Sequence, residues 1–273
     1  MSLITVPDVV PSRVLGVCRL LHEMGPIPRK TLVSWMAPRS EANASRVLDN
    51  VIRELSQLSL IEVQEDTVTW KGPKSEDLDT FTRYLPLYLL ERIFVFDKNL
   101  AYALAWLLEQ DLWRLPEGPD EWVARIAGDG LSEWTSITND TRVGNFKHWA
   151  VYLGFARQLP GRGFEPDPTA ILELVLPTIF QEEAPSKMLL DTFIQNLGKR
   201  FPVFQGGAIR LEVQSRMGRT PSGVLDMATS LALLHFQAMG LIHLETLSDA
   251  SVVTFRLPGT ARRYTHITWL SHA

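Results

Sequence analysis

Two periods of hydrophobic and polar positions divide residues 1–75. Val14, Leu15, Cys18 and Leu21 fall on one face of a segment that opens at Pro11 and runs through Met24, the spacing of an amphipathic helix. Gly25-Pro26 stops it, because glycine favours the post-helical backbone and proline cannot continue the ladder. A second short helix is predicted from about Pro28 to Met36, with proline in the first turn where its missing N–H costs nothing. "APRSEANAS" reads as a turn, and a third helix is predicted from about Asn43 to Leu58. Its apolar stripe is Val47, Leu48, Val51, Ile52, Leu55 and Leu58. The period then falls to two: Ile61/Val63 and Val68/Trp70 alternate on either side of Glu65-Asp66, the pattern of a hairpin. Three helices followed by a hairpin predict a winged helix-turn-helix.

The same order returns twice. "PKSEDLD" is a polar linker, and Phe81 to Ala127 is dense in Leu, Tyr, Phe and Trp, predicting a helical bundle broken near "RLPEGPDEW". From Ser136 a helix through "DTRVGNFKHWAVYLG" leads into strand, glycine-rich turn and strand in "FARQLPGRGFEPDP", with a basic tip at Arg162, and a further helix starts at Thr169. At the C-terminus a helix capped by Ser186 is predicted, then a short one in "GGAIRLEVQSR". A long helix from the Thr220-Pro221 cap to Gly240 and a hairpin around Ser248-Asp249 complete the chain. "QLSLIEVQEDTVTW" and "AMGLIHLETLSDASVVTF" share an architecture rather than a sequence. The expected fold is mainly α with small β-hairpins. A winged helix spans 1–75, a helical linker bundle 76–135, a winged-helix-like unit 136–185 and a C-terminal winged helix 186–273.

Composition narrows the class. The 273 residues are 45% hydrophobic and 21% charged, which predicts an ordinary globular protein and not a disordered one. No run approaches the roughly 18 apolar residues of a membrane span, and "MSLITVPDVV" lacks the basic start of a signal peptide. The single cysteine, Cys18, lies among apolar residues and reads as core. A cytoplasmic location is expected. The net charge of −4 is unevenly spread: +1 over residues 1–75, −9 over 76–185 and +4 over 186–273. Both ends remain available to phosphates while the middle repels them.

Motifs of catalysis are missing. There is no P-loop, no dinucleotide fingerprint and no HExxH, and one cysteine excludes a zinc finger. The histidines at 22, 148, 235, 243, 266 and 272 have no ligand spacing, and Glu165 with Asp167 reads as an ordinary acidic turn. No catalytic residue, metal or cofactor is expected. Trp106, Trp113 and Trp122 offer base-stacking surfaces, but their acidic surroundings favour the reading as core.

A binding face is better defined. Asn43, Arg46, Asn50 and Arg53 follow at spacings of three, four and three on the third helix, opposite its apolar stripe. In a helix-turn-helix that face enters the major groove, where Arg matches guanine O6/N7 and Asn matches adenine N6/N7. Arg29, Lys30 and Arg39 are placed to hold backbone phosphates. In the C-terminal unit, Arg216 and Arg219 are expected just before the long helix, with Lys199-Arg200, Arg210 and Arg262-Arg263 adding positive charge. Asp49, Glu54 and the acidic Glu65-Asp66 tip oppose this, since a wing near the minor groove gains from cations.

"VPSRVLGVCRLLHEMGPIPRKTLVSWMAP" together with "HWAVYLGFARQLPGRGFEPDPTAIL" resembles the DpdG-type proteins of bacterial gene clusters that insert 7-deazaguanine derivatives into DNA and restrict unmodified DNA. The resemblance covers most of the chain. It implies a cytoplasmic accessory protein beside enzymes that modify or cleave DNA, with no catalytic residues to carry over. Tandem winged helices also resemble, in architecture alone, the subunits that bind the kleisin of chromosome-organising complexes. The expected function is a non-enzymatic DNA-binding adaptor in a DNA-modification or anti-phage defence complex, with duplex DNA and protein subunits as partners and no membrane. The alternative is a protein–protein scaffold whose winged helices bind partner subunits and not DNA. A weaker third reading is an enzyme acting on nucleic acid.

Overall fold

The computed structural model describes residues 2–36, 44–159, 163–181, 186–219, 223–248, 250–257 and 259–270. The protein is mainly helical, with small and mostly antiparallel sheets. An N-terminal strap buries Leu3, Ile4 and Val9 before α1 (Pro11–Met24), which buries Val14, Val17, Cys18 and Leu21. Gly25 then turns the chain with φ 75°, a left-handed conformation that glycine adopts without a Cβ clash. β1 (Ile27–Pro28), α2 (Arg29–Met36), α3 (Ala44–Gln57), β2 (Ile61–Gln64) and β3 (Thr67–Trp70) follow. The second helix starts one residue later than expected because Pro28 pairs with Thr67 in the sheet. That sheet runs β1-β3-β2, with Val63 opposite Val68 and Ile61 opposite Trp70. Glu65 and Asp66 both have positive φ, 48° and 68°, so the two-residue turn follows the right-handed twist of its strands.

The middle of the chain supplies the central core. Asp77 caps α4 (Leu78–Phe96) by accepting the Thr80 N–H at 2.7 Å. α5 (Lys98–Leu108) is buried almost all round, from Leu100 to Leu108, as expected of a helix surrounded by others. α6 (Pro119–Gly128), α7 (Ser132–Thr135) and α8 (Asp140–Tyr152) pack together above the hairpin of β4 (Ala156–Leu159) and β5 (Gly163–Pro166). Edge-to-face aromatic contacts join α5 to this group: Trp106 with Trp122 at 5.7 Å, and Trp122 with Phe164 at 5.4 Å. Gly154 (φ 80°) lets the backbone of Ile171 approach, since a Cβ there would lie 2.7 Å from the Ile171 nitrogen.

The C-terminal third departs furthest from expectation. It comprises α9 (Thr169–Ile179), β6 (Ser186–Leu189), α10 (Leu190–Arg200), α11 (Ala208–Arg216), β7 (Val224–Leu225), α12 (Met227–Ala238), β8 (Ile242–Glu245), β9 (Val253–Arg256), β10 (Ala261–Tyr264) and β11 (His266–Trp269). Ser186 does not cap a helix; Ser186–Leu189 is a strand paired with β11, and α10 begins at Leu190. The long helix starts at Met227 behind an Asp226 cap, whose Oδ1 accepts from Thr229 N at 2.8 Å. Thr220 and Pro221 lie outside the described residues. Among the described residues the expected terminal hairpin does not form: β8 pairs with β11, whereas β9 pairs with β10 and β7. The sheet β6-β11-β8 repeats the arrangement β1-β3-β2, with the last strand between the other two.

Candidate nucleic-acid interface

The stripe of α3 is buried as its period predicts, at Leu48, Val51, Ile52, Leu55 and Leu58. Arg46 and Arg53, two turns apart, are exposed on the opposite side, and Lys30 is exposed on α2. Lys30 and Arg46 have no ion-pair or hydrogen-bond partner among the described residues. The others are engaged. Arg29 pairs with Asp49, Nη2 to Oδ1 at 2.5 Å, and that hydrogen bond holds the guanidinium above its ordinary pKa. Asn50 donates to Asp8 Oδ2 at 3.0 Å, tying α3 to the strap. Arg53 Nε donates to Glu54 Oε1 at 3.3 Å. Glu54 itself is buried and does not flank the polar face as expected; its backbone position falls on the apolar side beside Leu55. Asn43, Arg39 and Arg162 lie outside the described residues.

The Glu65-Asp66 tip is exposed, so its charge faces solvent. It is tied down from behind: the Arg29 N–H donates to the Asp66 carbonyl at 2.7 Å. At the base of the hairpin Lys71 meets Glu62 at 2.7 Å and holds that carboxyl below its usual range.

The C-terminal cations mostly serve the fold. Arg210, expected as solvent charge, has no exposed surface. Its Nε lies 2.7 Å from Glu109 Oε1, off the N–H axis, and its Nη2 lies 3.3 Å from Asp226 Oδ2; its Nη1 donates to the Ala105 carbonyl at 2.7 Å. Arg219 donates to Glu109 Oε2 at 2.8 Å, and Gln214 to Oε1 at 2.5 Å. Burial pushes the Glu109 carboxyl up, but Arg210, Gln214 and Arg219 together hold it below its usual value. Asp226 is pushed up by burial, which the Arg210 charge only partly offsets. Arg216 ends α11 and donates to the Gly130 carbonyl at 3.1 Å, with its guanidinium near the Trp134 ring. β7 separates Arg216 and Arg219 from α12 along the chain, but Arg219 lines one cleft with Glu109 and with Asp226, the cap of α12, and its guanidinium is taken by Glu109. Sequence reasoning missed this cluster, since its members are local neighbours of nothing that marks them.

The remaining candidates resolve simply. Trp106 and Trp122 are core, while Trp113 is exposed. Glu165 and Asp167 both face Arg157, at 3.4 and 3.3 Å. His22 stacks on Phe81 and accepts the Ser75 N–H at 3.2 Å. Among the described residues no group of three His, Cys, Asp or Glu side chains is placed to hold a metal, and no helix is long and apolar enough to cross a membrane.

A family model described as DpdG-like matches residues 1–250. No curated protein and no solved structure matches the chain.

Proposed function

Because the chain belongs to the DpdG-like family, we propose that it is a non-enzymatic adaptor of the 7-deazaguanine DNA-modification system, binding duplex DNA and the protein subunits of that cytoplasmic defence assembly. The element order α1-β1-α2-α3-β2-β3, with β3 central in its sheet, supports reading residues 1–75 as a winged helix-turn-helix. The order α9-β6-α10-α12-β8-β11 supports a second such unit, with α11–β7 and β9–β10 as insertions. α6, α7, α8 and the β4–β5 hairpin support a third.

One observation carries the DNA reading: Arg46 and Arg53 stand exposed on α3, the helix that a helix-turn-helix lays in the major groove, and Lys30 on α2, the helix that crosses the backbone. Arg46 and Arg53 suit guanine edges or phosphates, and Lys30 suits phosphate. Arg29, Asn50, Arg53, Arg216 and Arg219 each have an internal partner and join by exchanging or sharing it with DNA. The acidic middle region, −9 over residues 76–185, is assigned to a protein partner.

The test is binding to a fluorescent duplex at several salt concentrations, for the protein and for Arg46→Ala/Arg53→Ala. Each lost phosphate contact lowers the slope of log affinity against log salt by about 0.9. Salt-sensitive binding that the double variant weakens supports the reading. Absence of binding at low salt removes it and favours the scaffold alternative, which the acidic tip at Glu65 and Asp66 supports independently.

A further inference from the structure

The buried ion cluster at the centre of the molecule is not closed over on every side. Glu109, which ends α5, and Asp226, which caps α12, both line a cleft of about 450 Å³. That volume falls within the roughly 300–1,000 Å³ of sites that take small molecules. Two exposed arginines line the same cleft from separate elements: Arg219, which follows α11, and Arg256, on β9. Val224 and Leu225 of β7 supply an apolar side, and Gln205 and Gln214 add their amides.

The carboxylates at this cleft are already supplied with donors. Glu109 Oε1 faces Arg210 and Gln214, and its Oε2 accepts from Arg219. Asp226 Oδ1 accepts the Thr229 N–H at 2.8 Å and Oδ2 the Thr229 hydroxyl at 3.0 Å, with Arg210 Nη2 beside it. Arg210, buried behind both, offsets their charge toward the cleft. The guanidinium groups are not used up in the same way. Arg219 is fixed through Nη1, which donates to the Glu109 carbonyl at 3.1 Å and to Oε2 at 2.8 Å; its Nε and Nη2 have no partner among the described residues. Arg256 makes no hydrogen bond among the described residues, and its Nη2 stands 4.0 Å from Asp111 Oδ2, too far for one. Each guanidinium is a planar fork of N–H donors, so the two leave a surplus of donors at the cleft. Arg219 is moreover positioned in advance, because the carboxylate that holds it is itself held by Arg210 and Gln214.

We propose that this cleft binds a small phosphate monoester, its phosphate held by the free edges of Arg219 and Arg256 and its body lying along Gln205 and Val224. Guanidinium forks match phosphate oxygens in pairs, and donors arriving from two elements suit a tetrahedral dianion better than a planar carboxylate. The cleft is larger than a phosphate group fills, and its remaining lining is mostly polar, which fits a hydroxylated body and not a hydrocarbon one. No residue of α3 lines it, and its use does not depend on DNA binding.

The probe is ribose 5-phosphate, titrated calorimetrically into the full chain, with ribose and inorganic phosphate as its two halves. The expected result is saturable binding of the ester, about tenfold weaker binding of inorganic phosphate, and none of ribose. Arg256→Ala is expected to weaken the ester about tenfold. It should leave the melting temperature unchanged, since the ion pair it removes is long and exposed. Arg256→Lys keeps the charge without the fork and is expected to recover only part of the affinity. Circular dichroism checks that each variant is folded, and should Arg256→Ala fail to fold, Arg256→Lys carries the test. A blunt duplex without terminal phosphates is expected not to displace the ester. Absence of ester binding, equally tight binding of ribose or of inorganic phosphate, or full affinity in a folded Arg256 variant overturns the proposal. Displacement by the duplex overturns it too, and assigns Arg219 and Arg256 to the DNA backbone.

Discussion

The guanidinium of Arg210 sits fully buried against the carboxylate of Glu109, joining α11 to α5 at the centre of the molecule. Two charges out of water are costly, and the arrangement is tolerable because each carries further partners. Glu109 accepts from Gln214 and Arg219, while Arg210 donates to the Ala105 carbonyl and pairs with Asp226.

Removing one member leaves the others buried and uncompensated. Arg210→Met is expected to destabilise the protein by roughly 3–5 kcal/mol in urea unfolding. Adding Glu109→Gln to it is expected to recover part of that loss, because the orphaned carboxylate is then gone. A double variant as unstable as the sum of the two singles would show that the pair is not coupled.

The same pair sets a pH dependence. The Glu109 pKa is lowered in the folded protein from an ordinary value of 4.5. The folded state thus binds this proton less readily than the unfolded chain, and the contribution is present above pH 4.5 and lost as pH falls through the lower folded value. Asp226 is raised, chiefly by burial, and acts in the opposite sense; the Glu109 charge is a lesser cause of that rise, so its removal in Glu109→Gln offsets only part of the change. The stability gap between the protein and Glu109→Gln is therefore expected to narrow progressively below pH 4.5. Urea midpoints measured from pH 6 down to about pH 3 test this. A gap that widened toward acid would reverse the assignment.

Asp97 serves two elements at once. Its Oδ2 accepts the Leu3 N–H at 2.8 Å and its Oδ1 caps α5 through Leu100 N at 3.1 Å. Asp97→Ala is expected to cost about 2 kcal/mol and to raise hydrogen exchange in residues 2–9 before elsewhere. Uniform loss of protection along the chain would mean that the strap is held by other contacts.

The wing tip combines two penalties, positive φ at Glu65 and Asp66 and negative charge where a duplex would lie. Glu65→Asn/Asp66→Gly supplies the residues that this turn favours, and is expected to stabilise by about 0.5–1 kcal/mol. If the N-terminal unit meets DNA, the same change also tightens duplex binding and steepens its salt dependence. Raised thermal stability with unchanged binding would separate the two effects and place the wing away from the nucleic acid.

Lys30 offers the simplest single-site check. Its ammonium is exposed and unpartnered among the described residues, so Lys30→Ala is expected to leave the melting temperature unchanged. Duplex affinity should fall alike for all sequences, with the salt slope reduced by about 0.9. An unchanged slope would take Lys30 off the phosphate backbone.

Local periodicity was enough for α1, α3 and the β2–β3 hairpin, because each carries its own signal: a stripe at helical spacing, a proline or glycine at its ends, or strict alternation around a two-residue turn. The same reasoning failed for Ser186–Leu189 and for the strands around Ser248. Ser186–Leu189 and β8 both pair with β11 instead of with their neighbours, and β9 turns to β10 and β7, choices that no local pattern marks. Arg210 failed for a related reason. A charged residue in "GGAIRLEVQSR" looks like solvent charge until α5 brings Glu109 and the cap of α12 brings Asp226.

By itself, then, the order of residues determined the mainly helical class, the apolar faces and the exposed Arg46–Arg53 pair on α3, since these follow from spacings of a few residues. Only the tertiary structure decided which cations remain free. Whether Arg29, Asn50, Arg216 or Arg219 faces solvent or an internal acceptor depends on the element that packs beside it, and contacts between distant segments leave no periodic trace in the chain. The strap belongs to the same category: Trp149 and Asn145 of α8 hold it through the Val9 and Ile4 carbonyls, across separations of 140 and 141 residues in the chain.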